Sequence, residues 1–153
     1  VLLIDDEPEI IELLALVIQR KGYSFKSALN VKDAWTIIQQ DHPPLLCCDI
    51  SMPEKTGLDL LKEIKEQKYP CSMVMFTAYA ECERLREALR LGALDYMTKP
   101  FDFKTILERI PMWLELGRKL QHPMDASLAE QISHLKDLIK YSQQEVGRQK
   151  KTA

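Results

Sequence analysis

The chain has 153 residues, 46% of them apolar, which is enough for one domain with a real core plus a short appendage and too apolar for disorder. A formal charge of −2 supplies no overall field for nucleic acid, so no nucleic-acid contact is expected from these residues. No apolar run approaches membrane-spanning length and no signal peptide is present; the chain opens without Met, directly on a strand, and reads as a fragment of a longer cytoplasmic protein.

Val1–Ile4 reads as the first strand and runs into Asp5-Asp6-Glu7. Pro8 suits a first helical turn, and Ile10, Ile11, Leu13, Leu14, Val17 and Ile18 recur with helical spacing as far as Lys21, with Gly22 as the terminating residue. Ile11, Leu14 and Ile18 can face a sheet, while Ile10, Leu13 and Val17 widen the stripe sideways. That extension is either a broad core face or a docking surface for a helical partner. Tyr23–Ala28 reads as the second strand, and Asn30 can cap a second helix that His42-Pro43-Pro44 stops. Leu45–Cys48 is a short continuous apolar run, as in a strand buried on both faces of a parallel sheet. Asp49 cannot continue that burial cheaply and should stand where the chain leaves the sheet.

After the loop Ile50–Thr56, Gly57–Gln67 reads as the third helix and Ser72–Phe76 as the fourth strand, followed by Thr77-Ala78-Tyr79. Glu81–Leu91, closed by Gly92, is the fourth helix. Ala93–Met97 is the fifth strand, followed by Thr98-Lys99-Pro100-Phe101 and a fifth helix from about Asp102, which Pro111 is expected to interrupt. His42, Pro43 and Pro44 aside, the strongest break is His122-Pro123; Ser127 to about Val146 then carries Leu128, Ile132, Leu135, Leu138 and Ile139 on one side of a further helix. His134 on that helix reads as a surface histidine. Cys47, Cys48, Cys71 and Cys82 contain no C-x-x-C pair and read as small buried hydrophobes in a reducing compartment.

Five strands alternating with five helices predict an α/β fold, a doubly wound parallel sheet with right-handed crossovers and ligands outside the C-terminal strand ends. In the flavodoxin-like order 2-1-3-4-5, the first and third strands are neighbours at the switch point. Asp5 and Asp6, Asp49, Thr77 and Lys99 then share one crevice. Three close carboxylates repel one another unless a cation sits among them, and a hard divalent ion with oxygen ligands, Mg²⁺ by default, resolves that repulsion. Unrelated strand caps would not explain why four of five strands end in groups suited to a phosphoryl site.

Leu3-Ile4-Asp5-Asp6-Glu7-Pro8, Asp49-Ile50-Ser51-Met52-Pro53 with Gly57, Phe76-Thr77-Ala78, and the run from Gly92 to Phe101 occur in this order and spacing. With these pieces the sequence resembles the receiver domain of two-component response regulators over about residues 1–116. The resemblance implies a phosphorylation-controlled switch in two-component, or phosphorelay, signalling. Asp49 would be the phosphoacceptor, and Asp6, Asp49 and the Ser51 backbone carbonyl would ligate Mg²⁺, with Asp5 acting through water. Lys99 would pair with the phosphoryl group, and Thr77 would donate its hydroxyl to it. Tyr96 would be the rotating aromatic that, with Thr77, changes the surface of the fourth helix, fifth strand and fifth helix. Ser51 and Tyr79 would hold the two variable positions that govern water attack, and Lys99-Pro100 would be a cis peptide. The partner would be a sensor histidine kinase or a histidine phosphotransfer protein. Asp95 and Arg109 match positions of intersubunit ion pairs in receivers of winged-helix transcription factors, but Thr105 stands where that pattern has glutamate. The chain is expected to divide into a receiver at 1–118 and a helical linker or pairing segment at 119–153, with a homodimer formed partly through residues 127–146. The alternative function is an aspartyl-phosphate phosphatase or phosphotransferase on a related α/β fold; such enzymes typically carry a second aspartate where this chain has Ser51.

Overall fold

In the computed structural model the chain forms two compact units, Val1–Gln121 and His122–Ala153. The structure describes residues 1–78 and 82–121 of the first, and of the second only positions 133, 135 and 136, all helical. Tyr79, His134 and the apolar stripe from Leu128 onward, except Leu135, lie outside the described residues.

The first unit is the expected alternation. Its strands are β1 Leu2–Ile4, β2 Lys26–Ala28, β3 Leu45–Asp49, β4 Ser72–Ala78 and β5 Asp95–Lys99; its helices are α1 Pro8–Arg20, α2 Val31–Asp41, α3 Gly57–Glu66, α4 Cys82–Leu91 and α5 Phe103–Gln121. All pairs are parallel, in the order β2-β1-β3-β4-β5. Buried on every residue, β3 lies in the middle of this sheet, as its unbroken apolar run requires. Successive side chains alternate between faces. Leu2, Ile4, Leu46, Cys48 and Met75 join one core cluster with residues of α2, α3 and α4. On the opposite side α1 and α5 touch each other, α1 also meeting β1 and α5 also meeting β3 and β4.

Local signals explain the helix ends. Pro8 opens α1. The Asn30 side chain accepts a hydrogen bond from the Asp33 N–H, and His42, in the left-handed region, closes α2. Thr56 and Asp59 form a reciprocal capping box at the start of α3.

Several boundaries differ from the sequence reading, among them the start of β5, at Asp95 rather than Ala93. β2 begins at Lys26 rather than Tyr23, because its partner β1 is short and the register starts at Leu2 opposite Lys26. β4 and β5 run on to Ala78 and Lys99, because the ladder pairs Thr77 with Thr98 and Ala78 with Lys99. Backbone pairing, not apolarity, carries the sheet through these polar residues. The expected interruption at Pro111 does not occur: α5 passes through it and ends at Gln121. An interior proline costs about 3 kcal/mol. Burial of Ile106, Ile110, Trp113, Leu114 and Leu116, at about 1.5–3 kcal/mol each, outweighs that cost.

Candidate functional site

The residues singled out from sequence meet at the C-terminal edge of the central strands. Asp5 follows β1, Asp49 ends β3, Thr77 lies near the end of β4, and Lys99 ends β5. Asp5 is fully buried, Asp49 and Thr77 nearly so, and Asp6 is half-buried. Carboxylate oxygens of Asp5, Asp6 and Asp49 lie within 4.8 Å of one another.

Lys99 Nζ contacts three carboxylates. It is 2.8 Å from Asp5 Oδ2 and 3.1 Å from Asp49 Oδ1, and it donates a hydrogen bond to Glu7 Oε1 at 3.1 Å. The Asp5 contact has ion-pair distance without hydrogen-bond angles, so that buried oxygen keeps no hydrogen-bond partner. The other oxygens are oriented by backbone: the Glu7 N–H donates to Asp5 Oδ1 and the Ser51 N–H to Asp49 Oδ2, both at 3.0 Å. These short-range turns fix the carboxylates before any ligand arrives.

Burial raises the pKa of Asp49 to about 6, against the pull of Lys99 and with the help of Asp5 and Asp6. Burial likewise raises Asp5. For Lys99, burial works downward, but contact with Asp5 and Asp49 outweighs it and holds the ammonium above the ordinary lysine value. The carboxylates are therefore short of positive charge even with Lys99 among them. A hard cation fits this donor set: three clustered carboxylates, all oxygen, one with an oxygen lacking a hydrogen-bond partner.

Thr77 Oγ1 donates to the Ala78 carbonyl at 3.0 Å, within its own strand end. Tyr96 is half-buried on β5 and packs against the core cluster. Ser51 is exposed in the loop after β3. Lys99-Pro100 is the cis peptide that the resemblance implied. Gly57 lets α3 start directly against β3, because a Cβ there would overlap the Asp49 carbonyl.

Two contacts were not legible in the sequence. Glu7 joins Lys99, although its place in Asp5-Asp6-Glu7 was a usable hint. Arg84 on α4 donates from Nη1 to Ser51 Oγ at 2.6 Å. No local pattern announces that contact, since it depends on how α4 is rotated toward the loop after β3. Asp95 and Arg109 meet within the chain: Asp95 is fully buried and accepts from Arg109 Nη1 at 2.9 Å and Trp113 Nε1 at 3.0 Å. Cys47 and Cys48 are buried and Cys71 half-buried, all free thiols; burial pushes Cys47 and Cys71 up to about 12, so they serve as apolar filling.

An acidic cluster at the β1/β3 switch point, faced by a hydroxyl and a lysine from the next two strands, defines a phosphoryl-handling α/β domain. Residues 1–111 match the response regulator receiver domain, and the chain belongs to that family. It is 33% identical over 144 residues to the regulatory protein AtoC of Escherichia coli, covering 94% of this chain and 29% of that one. It is 32% identical over 116 residues to sporulation initiation phosphotransferase F of Bacillus subtilis, covering 76% of this chain and 94% of that one. The receiver domain of NtrX from Brucella abortus superimposes with a TM-score of 0.71 at 31% identity, over 74% of this chain and 97% of that one. The chain is thus a regulatory domain of two-component signalling, whose expected role is that of a phosphoacceptor switch. It spans under a third of AtoC, and 26% of the response regulator protein PilR of Pseudomonas aeruginosa, with which it shares 35% identity.

Proposed function

We propose that Asp49 is the phosphoacceptor, served by Mg²⁺ on Asp6, Asp49 and the Ser51 backbone carbonyl, with Asp5 acting through bound water. The observation that carries this reading is the convergence of Asp5, Asp6 and Asp49 on one point, with Lys99 reaching Asp49. A carboxyl titrating near 6 is mostly ionised at neutral pH yet more basic than an ordinary aspartate, which suits a nucleophile. An Asp49 oxygen attacks the phosphorus of a phosphohistidine in line; the P–N bond breaks, the imidazole leaves, and an acyl phosphate forms. Mg²⁺, when bound, neutralises charge on the transferring oxygens. Lys99 pairs with one phosphoryl oxygen. The Thr77 hydroxyl leaves the Ala78 carbonyl and donates to another, which draws in the chain after Thr77 and changes the room available to Tyr96. Later attack by water on phosphorus releases phosphate and restores the carboxylate.

The donor in this reading is a sensor histidine kinase or a histidine phosphotransfer protein. Residues 1–118 form the receiver and 119–153 a linker that pairs with a second copy through 127–146.

Intact-mass measurement after acetyl phosphate treatment with Mg²⁺ tests the assignment. Wild type gains one phosphoryl group, and Asp49→Asn gains none while keeping its fold. An adduct of equal yield on the Asn variant overturns it.

A further inference from the structure

We infer that Arg84 is a second cationic contact for the phosphoryl group and screens it from water, an inference that rests on Asp49 as the phosphoacceptor. The Arg84 guanidinium is tied to Ser51 Oγ at 2.6 Å, and the N–H of the same serine is tied to Asp49 Oδ2 at 3.0 Å. One residue therefore separates Arg84 from the carboxylate that gains the phosphate. The contact brings a residue of α4 across to the loop after β3. Lys99 approaches the carboxylate differently, from the end of β5 and with Asp5 and Glu7 already on it.

Charge and geometry both favour a change of partner. A phosphoryl group brings close to two negative charges and three acceptor oxygens to a place where a single carboxylate stood. Asp5, Asp6 and Glu7 already surround that place, and Lys99 is shared among three carboxylates. Phosphate oxygens accept guanidinium N–H groups in a forked, charge-assisted geometry that a serine hydroxyl does not offer. Arg84 is exposed and its long side chain can shift without unpacking α4. Moving from Ser51 Oγ to the phosphoryl oxygens puts a bulky guanidinium against the phosphoryl group and crowds an attacking water. The contact lengthens the life of the acyl phosphate; it does not form it, since Asp49 and Lys99 meet without Arg84.

The test has two readouts. In the 153-residue chain with Mg²⁺, addition of beryllium fluoride should shift the Arg84 Nε–H resonance and slow its exchange with water. After phosphorylation by acetyl phosphate and removal of the donor, Arg84→Ala should lose its phosphate about three- to tenfold faster than wild type, the worth of one partly screened charge-assisted contact. Arg84→Lys should fall between, since it keeps the charge and loses the fork. An Arg84 resonance unmoved by beryllium fluoride overturns the inference without requiring any variant to fold. Equal decay of wild type and Arg84→Ala also overturns it, and leaves Asp49 standing because the adduct has formed. If wild type forms no adduct at all, the Asp49 reading and this inference fall together.

Discussion

Asp49 shows what the site costs the fold. Its carboxylate is almost fully buried, and burial raises its pKa to about 6 even with Lys99 at 3.1 Å. A carboxyl that binds its proton more tightly folded than unfolded weakens the fold once that proton is gone. The penalty is therefore present above about pH 6 and is relieved as pH falls through that value. Asp49→Asn removes it, leaving Lys99 to Asp5 and Glu7. In metal-free protein at pH 7.5 the Asn variant should be more stable by about 1–3 kcal/mol, and the gain should shrink toward pH 5. Thermal melts in a chelator at the two pH values check this; an Asn variant less stable at both would mean that the Lys99 attraction dominates. Asp5, Asp49, Thr77 and Lys99 were legible because each is a polar residue at the end of an apolar run. Glu7 and Arg84 were not, because their contacts join segments whose relative placement no local pattern encodes.

At the scale of elements, two glycines set how closely helices approach the sheet. A Cβ on Gly57 would overlap the carbonyl oxygen of Asp49, and one on Gly117 the carbonyl oxygen of Pro44. Neither obstacle is a flexible side chain, so backbone must yield. Each alanine substitution should lower stability by about 1–3 kcal/mol, read as a lower urea midpoint. Their effects on phosphorylation should separate. Gly57→Ala pushes on Asp49 itself and should slow adduct formation from acetyl phosphate. Gly117→Ala acts at the far end of β3, beside Pro44, and should leave that rate within about twofold. Equal slowing by both would mean that the sheet transmits the disturbance along β3. The elements themselves were legible from apolar spacing and caps, and Asn30 performed as its position suggested. What failed was reasoning from single residues where tertiary packing decides. Pro111 did not end α5, because five buried side chains hold the helix on the sheet. Thr77 and Lys99 turned out to lie inside strands, because a neighbour's ladder extends them.

The whole molecule must receive a signal and hand it on, and both tasks need surface. The outgoing route in our proposal is the segment at 127–146, where Leu128, Ile132, Leu135, Leu138 and Ile139 recur at helical spacing in the sequence. Sedimentation of the full chain and of a chain ending at Leu120 should show a dimer only for the former; two monomers at high micromolar concentration, or equal dimerisation, would remove the tail as the pairing element. The incoming route in our proposal is the outer side of α1. The sequence offered Ile10, Leu13 and Val17 as the sideways extension of α1, and the fold revises that set. Val17 is buried, whereas Leu13 is 45% and Leu16 59% exposed. These two leucines line, with Val17, Arg20, Phe103 and Leu107, an open groove of about 240 Å³ between α1 and α5. Two exposed leucines lining one groove form an apolar surface that an amphipathic helix of the proposed phosphodonor could cover. Replacing Leu13 and Leu16 together with Asp should therefore slow phosphotransfer from a histidine phosphodonor protein by about tenfold or more, from lost apolar burial and an unpaired charge in the interface. Phosphorylation by acetyl phosphate needs no docking and should stay within about twofold of wild type. If both donors slow together, the leucines support the fold rather than the partner; if neither slows, the phosphodonor docks elsewhere.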